Sequence, residues 1–266
     1  MEASVAPGPG GIGAARLRGV PIVLVAAIAG AWLAVLAAQA TGAASLLHHD
    51  ALIDDGPAFW IALPAFLVAW QVMVAAMMLP SSLPLVRLFG AASAGQPRPR
   101  AAMSGFLCGY ALMWSAFGGL ALTFDLGVHA AVDASPWLHE HEWLLGGSVL
   151  VLAGGFQFTK LKDTCLDKCR HPAVFMLRFY ERGTAGGLRF GARHGAHCVG
   201  CCWALMLVMF TAGVASLVWM ALLTAVMVHE KTRPLGARAV PVTGLALLAA
   251  GSTSLLYWAS AGGVLG

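Results

Sequence analysis

The sequence predicts an all-α, polytopic transmembrane helical bundle of about seven membrane segments with a cytoplasmic N-terminus. Three observations predict it: the composition, the length of the uncharged runs, and the uneven placing of Lys and Arg. Of the 266 residues 59% are hydrophobic and 11% charged, against about 25% charged in a soluble domain. So little polar surface cannot coat a water-facing globule, whereas a bilayer requires apolar positions on the outside. The 32 glycines suit helices packed closely in lipid, where small residues let backbones approach. The chain reads as a single membrane domain over residues 1–266, with no room for a separate soluble one.

Spans are sought as runs of about 20 residues without charge. The first is 21–47, behind a basic tail over 1–20 that holds Arg16 and Arg18. Ala38-Gln39-Ala40 resembles a signal-peptidase site. A secretory apolar region is only about 7–15 residues long, however, so an uncleaved first span is expected. Further spans are 59–79, closed by Pro80; 101–124, ended by Asp125; 143–159; and 240–262. Trp60, Trp137, Trp143 and Trp258 stand near span ends, where amphipathic rings favour the headgroup zone.

Residues 198–228 are also uncharged and could form one long helix or a hairpin. Charge decides between them. Residues 48–58 and 125–142 contain no Lys or Arg, whereas 160–193 hold eight. A hairpin turning near Gly213 returns Lys231, Arg233 and Arg238 to the basic side, so that all 16 Lys and Arg share one face. The positive-inside rule makes that face cytoplasmic. Legs of about 15 residues reach only ~23 Å, short of a ~30 Å hydrocarbon core.

The chemistry of the chain is soft. Cys165 and Cys169 lie in the 160–197 Cys/Arg-rich connection, followed by His171. On a helix, i and i+4 put both thiols on one face. A second group holds His194, His197, Cys198, Cys201 and Cys202. Cys198-x2-Cys201 is a common metal-ligand spacing, because one turn aims both sulfurs at a single ion. At a cytoplasmic rim such thiols stay reduced, and thiolate and thioether ligands favour Cu(I), with zinc the competitor. Met73, Met77, Met78 and Met206 offer a secondary thioether path. The competing reading is packing, since cysteine and methionine also fill apolar interiors; for the lone Cys108 packing is the reading adopted. On the acidic side, His48, His49, His139 and His141 could capture a metal or simply hydrate a loop. Glu230-Lys231 reads as an interfacial ion pair worth under about 1 kcal/mol. No GxSxG, Walker loop or dinucleotide fingerprint occurs, so no catalysis is expected.

Three motifs carry a resemblance: Trp70-x2-Met73-x2-Ala76-Met77-Met78-Leu79-Pro80; Gly155-Phe156-Gln157-x2-Lys160-Leu161-Lys162-x2-Cys165-Leu166-x2-Cys169-Arg170-x-Pro172; and Cys198-Val199-Gly200-Cys201-Cys202-Trp203 with Glu230-Lys231. Over a core of about 60–235 they resemble the DUF2182 family, integral membrane proteins of bacteria predicted to bind metal, some labelled copper chaperones. The resemblance implies a bacterial inner membrane as the place and the cysteine clusters as the site, without a substrate or reaction.

Three functions follow as expectations. The first is Cu(I) handling through Cys165, Cys169, Cys198, Cys201 and Cys202 with His171, His194 or His197, in exchange with a metal-donor or metal-acceptor protein and without nucleic acid. The second is a membrane thiol–disulfide oxidoreductase. The third is an assembly or scaffold protein whose cysteines only pack.

Overall fold

The computed structural model describes residues 22–42, 59–212 and 216–262. The described residues form eleven helices and no strand. These are α1 Ile22–Ala40, α2 Phe59–Met77, α3 Leu79–Ser93, α4 Pro99–Ala134, α5 Pro136–Glu140, α6 Trp143–Phe156, α7 Lys160–Arg170, α8 Pro172–Phe179, α9 Gly183–Ala212, α10 Leu217–Thr232 and α11 Gly236–Gly262. The basic tail, His48, His49 and Gly213 lie outside the described residues.

Local sequence sets the boundaries. Pro80, Pro99, Pro136 and Pro172 each stand in the first turn of a helix, where a missing N–H costs nothing. Ser135 caps α5 and Thr159 caps α7 through their hydroxyl oxygens, satisfying N–H groups that have no partner within the helix.

Four helical stretches are long and apolar enough to cross a membrane: Ile22–Ala40, Trp60–Met77, Pro99–Ala134 and Gly236–Ser260. A fifth exists if α6 and α7, bent by 65° at their junction, count as one. Among the described residues the expected count of seven is therefore not reached. α10 has only 16 residues, and the apolar half of α9 follows a basic half. The all-helical bundle stands.

Helices α9 and α10 form the expected hairpin. Cys198 lies 14 residues before the end of α9, and Lys231 lies 14 residues after the start of α10. Their side chains nonetheless touch, at 3.2 Å. Two legs of about 21 Å must therefore run out and back side by side.

Glycines set the tightest helix contact. Gly105 and Gly109 on α4 face Gly187, Gly191 and Gly195 on α9, each repeating at every fourth residue. A Cβ on Gly109 would collide with the carbonyl of Leu188, and one on Gly191 with that of Phe106. This is the small-xxx-small solution to packing in lipid, where van der Waals contact replaces the hydrophobic effect. Gly147 and Gly154 of α6 do the same against Gly251 and Leu248 of α11. α1 docks on the rest through Trp32, whose indole N–H donates to the carbonyl of Ala76 at 3.1 Å.

At one end the connections knit together. Gln96 donates to the Tyr180 hydroxyl at 2.8 Å and accepts from the backbone N–H of Gly183 at 2.7 Å. Gly183 has φ +81°, a conformation that suits glycine. The hydrogen bond from Arg189 holds the exposed Glu181 carboxyl below its usual range. Whatever this pair contributes is thus present at neutral pH and fades as pH falls through that lowered value.

Gly109→Ala should lower the thermal midpoint of the detergent-solubilised protein, with overpacking costing about 1–3 kcal/mol. Gly119→Ala, on the same helix with nothing within 4 Å of the added carbon, should leave the midpoint unchanged or raise it slightly.

Candidate functional site

The site begins at a break. Pro80 has no N–H to give the carbonyl of Ala76, and α2 stops at Met77 while α3 starts at Leu79. Met78 sits at the break with φ −98° and ψ −35°, its carbonyl accepting from the Ser81 hydroxyl at 2.8 Å. Met77 and Met78 are fully buried, and the thioether of Met78 points at α9.

On α9 the three cysteines Cys198, Cys201 and Cys202 are buried. Spacings of three and four keep them on one side of the helix. Cys202 Sγ lies 3.7 Å from Met78 Sδ, and Cys201 Sγ lies 4.0 Å from Cys169 Sγ on α7. Metal–thiolate bonds of about 2.3 Å place two sulfurs on one ion at most ~4.6 Å apart, and ~3.8 Å at a tetrahedral angle. Both pairs therefore have the separation of sulfurs that share an ion. Cys165 sits one turn before Cys169 and packs on Gly200, where an added Cβ would lie 2.6 Å from its sulfur. Glycine at 200 lets α7 come this close.

A polar shell surrounds the sulfurs. The Lys231 ammonium lies 3.2 Å from Cys198 Sγ, 3.3 Å from Ser81 Oγ, 3.8 Å from Cys202 Sγ and 3.9 Å from Met78 Sδ. The Tyr110 hydroxyl is 3.2 Å from Cys198 Sγ and accepts from Ser82 at 3.4 Å. Ser82 in turn meets His194 Nε2 at 3.1 Å. His194 is buried, stacked on Tyr110 and Phe106. It thus reaches Cys198 through two hydroxyls.

Below this shell Lys162 donates to Glu230 at 2.7 Å with both side chains buried. Arg170 Nε donates to the backbone carbonyl of Glu230 at 2.7 Å. Glu230 and Lys231 are thus not partners in an interfacial pair, as neighbouring positions suggested. Successive residues on a helix point about 100° apart, so Glu230 turns to α7 and Lys231 to the sulfurs. Tyr110, Ser81 and Ser82 carried no sequence signal, and Lys162 was marked only by its place in the second motif.

The other predicted residues are distributed as follows. Met73, Met77, Met78 and Met206 all lie in the buried core that contains the three α9 cysteines. His171 pairs with Asp167 at 3.1 Å at the surface. His197 turns back to the Arg193 carbonyl at 2.8 Å, edge-on to Phe175. His139 pairs with Glu142 at 2.9 Å, and His141 stacks on Trp137. Cys108 is exposed rather than packed, because its face of α4 looks away from α9. Among the described residues no three His, Cys, Asp or Glu side chains converge on one point. Structural zinc sites close with four such donors, so zinc finds no support in this arrangement. Cu(I), which accepts fewer and softer ligands, does not need that closure.

A membrane bundle with thiols and thioethers facing one another is suited to a soft monovalent cation. The family model described as copper chaperone, PpoB2, matches residues 67–254, more than half of the chain. The chain belongs to this copper chaperone family. No curated protein and no solved structure matches it.

Lys162→Met should destabilise the protein by about 3–5 kcal/mol, since it leaves Glu230 buried without its partner. The double variant Lys162→Met/Glu230→Met should recover much of that loss in the same thermal or denaturant melt.

Proposed function

We propose that this membrane protein of the copper chaperone family carries Cu(I) on sulfur, between Cys169 of α7 and Cys198, Cys201 and Cys202 of α9. The observation that supports this most is the 4.0 Å separation of Cys169 and Cys201, two residues that are 32 positions apart and brought together by the fold. Met78, 3.7 Å from Cys202, supplies a thioether, and Met73, Met77 and Met206 continue the soft-donor run inward. Cys165, which is only partly buried, is the entry point. His194 supports Cys198 through Ser82 and Tyr110 instead of ligating, while His171 and His197 lie outside the sulfur set. The three motifs that resemble the DUF2182 family all fall inside the matched stretch, and we take them as marks of the same family.

The protein delivers or sequesters copper and does not catalyse. The basic rim faces the cytoplasm of a bacterial inner membrane, and a metal-donor or metal-acceptor protein exchanges copper there. The thiol–disulfide reading uses the same Cys169–Cys201 pair. The thioether of Met78 beside the thiols favours metal over redox work, because a thioether takes no part in thiol exchange.

Purified protein should bind about one equivalent of Cu(I) in a chelator competition, given one connected sulfur set. Cys169→Ser/Cys201→Ser should lose it. Unchanged binding in that variant would reject the site. Thiol labelling of intact cells addresses the alternative: cysteines protected until lysis fit metal handling at the inner rim, and cysteines labelled from outside fit the oxidoreductase.

A further inference from the structure

Lys231 has no carboxylate partner among the described residues. Glu230, its neighbour in sequence, is taken by Lys162 at 2.7 Å. A buried ammonium is costly unless it is paired and hydrogen-bonded. Its shell consists of one hydroxyl, Ser81 Oγ at 3.3 Å, and three sulfurs, Cys198 at 3.2 Å, Cys202 at 3.8 Å and Met78 at 3.9 Å. The positive charge therefore stands among the same soft donors that would receive a metal ion. A lysine stem is long and flexible, and the next residues, Thr232 and Arg233, are exposed. The ammonium can withdraw toward that rim without unwinding α10.

We infer that Lys231 is the resident cation of the inner sulfur pocket, and that Cu(I) reaches Cys198, Cys202 and Met78 only by displacing its ammonium. This rests on the copper reading proposed above and adds how the site is regulated. One monovalent cation replaces another beside Cys198, and a cysteine that enters as a thiol, as Cys202 does with its S–H on the Cys198 carbonyl, gives its proton to solvent as the metal–sulfur bond forms. Filling the inner pocket costs the lysine its sulfur and hydroxyl contacts. Emptying it restores them. The lysine thereby lowers copper affinity and drives release, as a carrier that must hand its cargo on requires.

The opposite role is also definite. If the ammonium stays in place and merely stabilises thiolates, removing it weakens copper binding. The test measures Cu(I) affinity of the full-length protein in detergent by competition with bathocuproine disulfonate. It compares the wild type with Lys231→Leu, which removes the charge and adds no ligand, and with Lys231→Arg, which keeps the charge. Displacement predicts that Lys231→Leu binds Cu(I) roughly tenfold or more tightly, the equivalent of about one charge-assisted hydrogen bond. It also predicts slower transfer to the chelator, with Lys231→Arg close to wild type. Equal or weaker binding by Lys231→Leu overturns the inference and leaves the copper reading standing. No Cu(I) binding by either protein overturns both. Should Lys231→Leu fail to fold, the wild type decides: amine modification at Lys231, read by mass spectrometry, must rise when Cu(I) is added. A lysine equally protected with and without Cu(I) contradicts displacement.

Discussion

One buried ion pair pins the site together. Lys162 to Glu230, at 2.7 Å and out of contact with solvent, ties α7 to α10, and both helices form walls around the cysteines of α9. On one side it places Cys169 against Cys201. On the other it fixes the end of α10, so that Lys231 turns inward to Cys198. Arg170 reinforces the same junction through the Glu230 carbonyl. Buried ion pairs are seldom retained for stability alone, since apolar residues of similar volume serve as well or better. Here the pair has a geometric consequence: it frees Lys231 from its neighbouring carboxylate.

Around that pin the bundle is assembled by small residues. The glycines at every fourth position of α4 and α9 let Tyr110 and His194 come into the same layer as Cys198. Gly200 does the equivalent work for Cys165. At the junction of α2 and α3 the Met78 thioether reaches into the pocket, 3.7 Å from Cys202. Sulfur, hydroxyl and ammonium groups therefore meet in a space that no single helix could build. Their chemistry agrees with membership of the copper chaperone family.

Much of this was legible in the sequence, and the reasons for the rest are physical. The helical class followed from composition, and the α9–α10 hairpin from the charge of Lys231, Arg233 and Arg238 relative to the acidic loops. The two cysteine clusters were visible because cysteine is rare elsewhere in the chain. The span count was not legible, because run length cannot separate a crossing helix from a short leg buried against its neighbours. Nor could the partners of Glu230 and Lys231 be read. Adjacent opposite charges look like a pair in one dimension, yet successive residues on a helix point in different directions. His171 and His197, close to the cysteines in sequence, are turned away for the same reason. His194 faces inward but stops at Ser82.

The central claim is that copper rests on sulfur alone, between α7 and α9. X-ray absorption at the copper edge, on protein loaded with Cu(I), reads the donor atoms directly. The account predicts a nearest shell made only of sulfur, with a further sulfur lost when Met78 is replaced by Leu. A shell containing nitrogen or oxygen, as from His171 or His197, would contradict it.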